Sequence, residues 1–176
     1  MARPQKVLIL EMIPRNEGKD EGLVLYNFLK MKMPTSVRYK VLKNKKEFIA
    51  ALENIAPNYS LIHISSHGRK EGYLSLPRGY IEPHEFPEGC FTNSEVAFSS
   101  CQVGRSGFTD RLNERTGLRI AIAPLNDVVY IDAAMWFLHY YYLRCHQRYS
   151  AWDSFRRTDG KLRDKIRGGF KFFEYR

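Results

Sequence analysis

Two hydrophobic patterns alternate along this chain. Residues 7–12 form an apolar run interrupted only by Glu11, as expected of a strand that is buried on both faces of a sheet. Residues 21–32 instead carry apolar side chains three and four positions apart, which is the spacing of one helix face. These patterns predict strands at 7–12, 36–42, 60–65, 96–99, 118–123 and 170–175. They predict helices at 21–32, 45–55 with Asn44 as its cap, 107–115, 132–144 and 151–167, the last of which could break at Asp159-Gly160.

The order of these elements predicts the fold class. Strands that alternate with helices of about 10–15 residues are typical of a parallel sheet. The stretch 72–83 differs, because short apolar segments flank a turn at 77–79, as they do in an antiparallel hairpin. Neither an internal repeat nor a long linker divides the sequence. We therefore predict one α/β domain over residues 1–176, with a mostly parallel central sheet and helices on both faces.

The composition is that of an ordinary globular protein, with 44% hydrophobic and 27% charged residues. It excludes a disordered or collagen-like chain. The net charge is +9, and residues 144–176 supply most of it, with ten Lys or Arg against four Asp or Glu. This basic segment could bind an acidic partner or nucleic acid. A solvated basic face is the simpler interpretation, so nucleic acid is not favoured as a partner.

The cysteines and the apolar stretches bear on the compartment. Cys90, Cys101 and Cys145 are odd in number and form no CxxC pair, which disfavours a disulfide scaffold. The longest apolar stretch, 128–143, is shorter than the roughly 20 residues that a membrane-spanning helix needs. The N-terminal residues do not form a secretory signal. We expect a soluble cytoplasmic protein with reduced thiols and no membrane partner.

Two predicted strands lead directly to reactive side chains. The strand 60–65 is followed by His67 and Gly68, and the strand 96–99 is followed by Cys101. In open α/β sheets, catalytic groups collect beyond the carboxyl ends of the strands, so parallel neighbours would bring His67 and Cys101 to one edge. A nearby imidazole activates a thiol, and a glycine lets a backbone N–H face a developing oxyanion. The alternative interpretation is a cysteine packed as a small apolar side chain and a structural or solvent-facing histidine.

The residues around these positions resemble a known family. The segment LIHISSHG is followed, about thirty residues later, by VAFSSCQVG. Together they resemble the motifs of the CHAT group of caspase-like cysteine peptidases, which are related to caspases and separase. The residues that fit are His63, His67, Gly68, Ser100, Cys101, Gln102 and Gly104. The resemblance is specific over residues 60–143, which include the hairpin GYLSLPRGYIEPHEF, and is only topological over residues 1–58.

The resemblance implies a fold and an activity. The fold would be a three-layer caspase-like sandwich, and the activity that of a cysteine endopeptidase that cleaves a protein substrate without a cofactor or metal. Cys101 would be the nucleophile and His67 the general acid and base, while the amides of Gly68 and Cys101 would form the oxyanion hole. The family works with a Cys–His dyad, so no third catalytic carboxylate is required. A regulatory protein partner or self-association is expected, and an effector role in bacterial stress or antiviral defence is implied by analogy.

Three side chains near the dyad are candidates for substrate contacts. Asp127 would attract a basic P1 side chain, or it would instead cap the helix that follows, and the two interpretations stand equal. Ser99 stands where the related metacaspases, which cleave after Arg or Lys, often carry an aspartate, and this weakens a basic preference. Arg15, in the loop after the first strand, leaves an acidic P1 residue open. His63 lies within its strand and is interpreted as a structural, hydrogen-bonded histidine.

Two functions from other classes remain open on the sequence alone. The first is a catalytically silent scaffold of the same fold that binds a partner protein. The second is a nucleic-acid-binding module centred on residues 144–176, whose affinity would fall steeply with salt. A metal site at Cys145-His146 is disfavoured because the spacing matches no zinc pattern. His84 and Cys90 are interpreted as surface residues.

Overall fold

A computed structural model describes residues 5–175 of the chain, except for the side chain of Arg15. The strands are β1 Val7–Glu11, β2 Val37–Val41, β3 Leu61–Ser65, β4 His67–Arg69, β5 Tyr73–Ser75, β6 Tyr80–Ile81, β7 Glu95–Phe98, β8 Ile120–Pro124 and β9 Phe170–Glu174. The α-helices are α1 Glu21–Lys30, α2 Lys45–Asn54, α3 Phe108–Thr116, α4 Tyr130–Tyr141 and α5 Ala151–Leu162. A π-helical turn, Tyr142–His146, follows α4 directly.

Six of the strands form one sheet in the order β2-β1-β3-β7-β8-β9. The first five run parallel to their neighbours, and β9 pairs antiparallel with β8. The strands β4, β5 and β6 form a small antiparallel sheet, which contains the predicted hairpin. The prediction of an α/β fold with a mostly parallel central sheet is confirmed.

The strand β1 lies inside the sheet and is buried on both faces. Leu8 and Leu10 belong to one apolar cluster, which also contains side chains of α2 and α3. Val7 and Ile9 belong to a second cluster, with side chains of α1, α4 and α5. Helices therefore pack on both faces of the sheet. Burial of one such aliphatic side chain stabilises the fold by about 1.5–3 kcal/mol, which is why an apolar run identifies this strand.

The helix ends differ from the predicted ones. α4 begins at Tyr130 rather than at residue 132, and after Tyr141 it passes into the π-helical turn. α5 ends at Leu162 instead of reaching residue 167, and Gly160 does not break it. A glycine costs a helix only about 1 kcal/mol, which the packing of the buried side of α5 outweighs. None of the helices within residues 5–175 is long and apolar enough to cross a bilayer.

The interpretation of Cys90 as a surface residue is wrong. Its side chain is only 8% exposed and belongs to the apolar cluster that also contains Phe86 and Phe91. The flanking phenylalanines carry this stretch into the core, although proline and glycine residues around them are typical of a loop. Burial raises the pKa of the Cys90 thiol to about 12, so this thiol stays protonated at neutral pH.

Candidate active site

The strands β3 and β7 are adjacent and parallel, and each leads to one of the predicted catalytic residues. Just beyond the strands, the hydroxyl groups of Ser66 and Ser100 are buried and share a hydrogen bond 2.7 Å long. Ser66 directly precedes His67, and Ser100 directly precedes Cys101. The two chain segments therefore meet at the carboxyl edge of the sheet, as the parallel topology requires.

Gly68 packs directly on the backbone of Cys101. A Cβ atom at position 68 would overlap the carbonyl oxygen of Cys101 and would lie 3.0 Å from its amide nitrogen. Any larger residue would therefore force one of the two segments to move. Gly68 belongs to β4, a strand that the sequence does not predict and that pairs with β5. The absence of a side chain at this position lets the hairpin approach the cysteine.

The imidazole of His67 is hydrogen-bonded to a carboxylate. Its Nε2 lies 2.9 Å from Oε2 of Glu17, which belongs to the short 3-10 helix Arg15–Glu17 after β1. Lys19 donates to the same oxygen at 3.0 Å. The hydrogen bond from Lys19, followed by that from His67, lowers the pKa of Glu17, so the carboxylate is ionised at neutral pH. The sequence pattern does not single out Glu17, and its only signal there is an acidic residue in the loop after the first strand.

The sulfur of Cys101 faces the loop between β8 and α4. Sγ accepts a hydrogen bond from the N–H of Val128 at 3.4 Å, and the thiol lies 3.7 Å from the carbonyl oxygen of the same residue. An amide donor aimed at a sulfur atom stabilises negative charge on it. Within the described residues, no hydrogen bond joins the thiol to the His67 imidazole. A change of side-chain geometry must therefore precede a hydrogen bond between the two groups.

The residue after the cysteine has an unusual backbone conformation. Gln102 has a φ of 59°, in the left-handed region that residues other than glycine rarely adopt. Its backbone N–H donates to the carbonyl oxygen of Asn126 at 3.2 Å, and its side-chain Nε2 donates to Oδ1 of Asp127 at 2.8 Å. These contacts hold the strained turn in place. They also connect the turn after Cys101 with the loop that faces its sulfur.

The loop that faces the sulfur, residues 124–129, is held from its other side as well. Two of its backbone amides donate to the carbonyl oxygens of Gly168 and Gly169, at 2.9 and 2.7 Å. A Cβ atom at Gly168 would lie 2.8 Å from the Cβ atom of Val128, so the two segments are in close contact. The surroundings of the thiol are therefore built from three separate parts of the chain.

Among the three residues predicted to contact substrate, Asp127, Ser99 and Arg15, the first two differ in burial and in hydrogen-bond partners. The interpretation of Asp127 as a helix cap is wrong, because the capping position of α4 is Val129 and the Asp127 carboxylate accepts the hydrogen bond from Gln102. Ser99 is buried, 6% exposed, and its hydroxyl has no hydrogen-bond partner within residues 5–175. The side chain of Arg15 lies outside the described residues.

His63 is fully buried beneath this edge and is hydrogen-bonded, in agreement with its interpretation as a structural histidine. Its Nδ1 lies 3.0 Å from the hydroxyl oxygen of Tyr141, and its ring packs edge-on against Phe137. Its Nε2 lies 3.6 Å from Oε1 of Glu21. These contacts join β3 to α1 and α4.

A buried carboxylate supports the start of the loop that carries Glu17. Glu11, the last residue of β1, accepts hydrogen bonds from the N–H groups of Gly22 at 2.8 Å and Ile13 at 3.2 Å. Burial has the largest effect on this carboxyl group and raises its pKa to about 7. The two ends of the loop are therefore held by one side chain that changes its charge near neutral pH.

No protein-family model matches this chain, and no curated protein matches it either. The resemblance to CHAT peptidases stays a prediction from the motifs around His67 and Cys101.

Proposed function

We propose that this protein is a cysteine endopeptidase of the caspase-like CHAT type, with Cys101 as the nucleophile and His67 as the general acid and base. The observation that carries the proposal is the hydrogen bond between Ser66 and Ser100 beyond the adjacent strands β3 and β7. These serines directly precede His67 and Cys101. A thiol and an imidazole at one sheet edge are the groups that acyl transfer needs. The likeness of the two motifs to those of the family points to the same activity.

The reaction follows from the chemistry of these groups. His67 takes the proton of the Cys101 thiol, and the thiolate adds to the carbonyl carbon of the scissile peptide bond. The C–N bond breaks as the imidazolium gives its proton to the leaving amine, and a thioester remains. Water then adds to the thioester with His67 as the base, which releases the carboxyl product and restores the thiol.

Glu17 is the residue that positions the base. An ionised acceptor at Nε2 selects the ring tautomer in which Nε2 carries the proton and Nδ1 holds the free electron pair. Nδ1 is then the nitrogen that exchanges protons with the thiol. A substrate that pairs with the loop 124–129 would take the Val128 amide away from the sulfur, and this would free the thiol to turn toward His67.

Backbone amides and nearby side chains complete the proposed site. The N–H of Cys101 has no backbone acceptor within residues 5–175, so it is free to bind an oxyanion together with the N–H of Gly68. Asp127, held by Gln102, is the proposed contact for a basic P1 side chain. Arg15, in the loop after β1, is proposed as a further substrate contact. Ser99 is buried, so its unpaired hydroxyl would contact a substrate only after the surrounding segment moves.

We also propose a finer fold class, a cellular location, a regulatory partner and a biological role. Parallel strands with helices on both faces agree with a three-layer caspase-like sandwich. A cytoplasmic location fits the three free thiols. A regulatory protein partner or self-association would act on the segment 69–95 or on the loop 124–129. A role in bacterial stress or antiviral defence is proposed by analogy with the family.

Thiol labelling tests the dyad without a known substrate. Burial raises the pKa values of Cys90 and Cys145 to about 12, so both thiols should react slowly with iodoacetamide at neutral pH. Cys101 is expected to react at least about tenfold faster than either of them, and His67→Ala should lower the rate at Cys101 itself about tenfold. His84→Ala, which alters an exposed histidine of the hairpin region, is the matched control. An equal rate at Cys101 in wild type and His67→Ala would overturn the dyad and favour a silent scaffold.

Peptide-library cleavage tests the activity itself. Wild type and Cys145→Ala should produce the same cleavage products, whereas Cys101→Ala should produce none. The sequences of the products would also show whether the P1 residue is basic or acidic. Cleavage that survives Cys101→Ala would end the peptidase proposal.

A further inference from the structure

Two adjoining cavities open at the sheet edge opposite to Cys101. The first has a volume of about 200 Å³ and lies between the end of α1 and the π-helical turn. The second has a volume of about 650 Å³ and lies beside Gln5 and Ser36, just before β1 and β2. In a parallel sheet, the starts and the ends of the strands mark opposite edges. The residues that line both cavities are Lys32, Met33, Cys145 and His146.

The first cavity is mainly apolar. Its other walls are Phe28, Leu29, Met31, Tyr141 and Tyr142. Burial raises the pKa of the Cys145 thiol to about 12, so this part of the wall carries no charge at neutral pH. Concave apolar cavities bind ligands by removing hydrocarbon surface from water. The volume and the lining therefore suit an alkyl chain.

The second cavity is cationic. Lys32, Arg144, His146 and Arg148 line it, and no aspartate or glutamate is among its described lining residues. Arg144 is already paired with Glu95, at 3.1 Å. Lys32 and Arg148 form no ion pair within residues 5–175. A negatively charged group would therefore find two uncompensated cations here.

Residues with irregular backbone conformations line these cavities. The π-helical turn Tyr142–His146 supplies lining residues to both of them. Such turns are rare in proteins and are frequent at functional sites. Arg148 has a φ of 60°, which is again the left-handed region. A strained residue that lines a cationic cavity indicates a functional constraint on its position.

We infer that the two cavities together bind a single-chain amphipathic anion of the medium-chain fatty acid class. The alkyl chain occupies the apolar cavity, and the carboxylate lies in the cationic cavity near Lys32 and Arg148. A purely polar anion would leave the apolar cavity unused, and a neutral lipid would leave the two cations unpaired. The inference does not depend on the proposed peptidase activity.

Isothermal titration of the full chain with decanoate, below its micelle concentration, tests the site. Saturable binding of one equivalent is expected, with an affinity that rises about fourfold for each methylene added from hexanoate to decanoate. Decanol and decyltrimethylammonium keep the chain but lack the negative charge, and both should bind at least about tenfold more weakly. The inference is overturned if decanoate does not saturate, or if decyltrimethylammonium binds equally well.

A pair of double variants tests the two cations. Lys32→Gln with Arg148→Asn removes both charges, and asparagine tolerates the left-handed backbone of position 148. Decanoate affinity should fall about tenfold or more. Lys30→Gln with Lys165→Gln removes the same charge outside the cavities and should keep the wild-type affinity. Urea unfolding checks that both double variants are folded, and an equal loss of affinity in the two would overturn the inference.

Discussion

The His67 imidazole and the Glu17 carboxylate form a hydrogen bond 2.9 Å long, although fifty positions separate the two residues in the sequence. The contact brings the loop after β1 into a site whose other members follow β3 and β7. In many hydrolases an acidic residue orients the catalytic histidine in this way. The Glu17 carboxylate would therefore orient the imidazole of the proposed His67–Cys101 dyad.

Glu17→Gln tests this positioning role. Glutamine still accepts a hydrogen bond from Nε2, but it does not stabilise the positive charge that the ring acquires during the reaction. We expect kcat to fall by about 10–100-fold with little change in KM. Initial rates on a peptide identified by the library experiment measure both. Glu53→Gln, on the exposed side of α2, is the control, and a kcat that is equal in both variants would contradict the role of Glu17.

Gly68→Ala tests the close packing of the hairpin on the cysteine. The added methyl group would overlap the Cys101 carbonyl oxygen, so the free energy of unfolding should fall by about 1–3 kcal/mol. Gly160→Ala is the matched control, because position 160 has open space within α5. Alanine there should raise the free energy of unfolding by about 0.5–1 kcal/mol. Urea titrations measure the free energy of unfolding of both variants. A change of the same sign in both would refute the packing argument.

A double-mutant cycle tests the bond between Ser66 and Ser100. Either serine changed to alanine leaves the other hydroxyl buried without its partner, which should lower the free energy of unfolding by about 1–3 kcal/mol. The double variant should lose less than the sum of the single losses. Ser154→Ala is the control, since its buried hydroxyl has no partner within the described residues and nothing is lost. Additive losses at Ser66 and Ser100 would mean that the two hydroxyls do not interact.

Glu11 makes the stability of the fold depend on pH. Burial raises its pKa from 4.5 to about 7, so between these values the folded protein binds more protons than the unfolded chain. The stability that Glu11 contributes at low pH should therefore be lost as the pH rises through this window, by up to about 3 kcal/mol.

Urea unfolding at a series of pH values measures this dependence. Glu11→Gln should flatten the slope of unfolding free energy against pH between 4.5 and about 7. Part of the slope should remain, because burial also raises the pKa of Glu95. The same slope in wild type and variant would rule out Glu11 as its source.

The sequence predicts the inner strands β1, β3 and β7 well because burial on both faces determines them. An apolar run such as 7–12 is stable only where both of its faces are covered, so its place inside the sheet follows from its composition. The strand β4 does not follow in this way. His67–Arg69 has no hydrophobic alternation, and only its pairing with β5 makes it a strand. The π-helical turn after α4 is likewise not visible in the hydrophobic pattern of the sequence.

The site is predictable only in part, for a related reason. That His67 and Cys101 reach one edge follows from the parallel order of β3 and β7, which the pattern of strands and helices implies. The contact from Glu17 depends on the path of a polar loop, which no periodicity describes. The left-handed backbone of Gln102 is equally hidden, since glutamine is not a residue type that marks such a turn.

The carbonyl groups of Gly168 and Gly169 anchor the loop that faces the Cys101 sulfur, and they stand directly before β9. During synthesis, β1, β3 and β7 leave the ribosome well before this anchor does. The thiol pocket stays unfinished until translation has passed residue 174 and β9 has docked on β8. A newly made chain therefore completes the surroundings of this sulfur only after a segment more than sixty positions further along the sequence has joined the sheet.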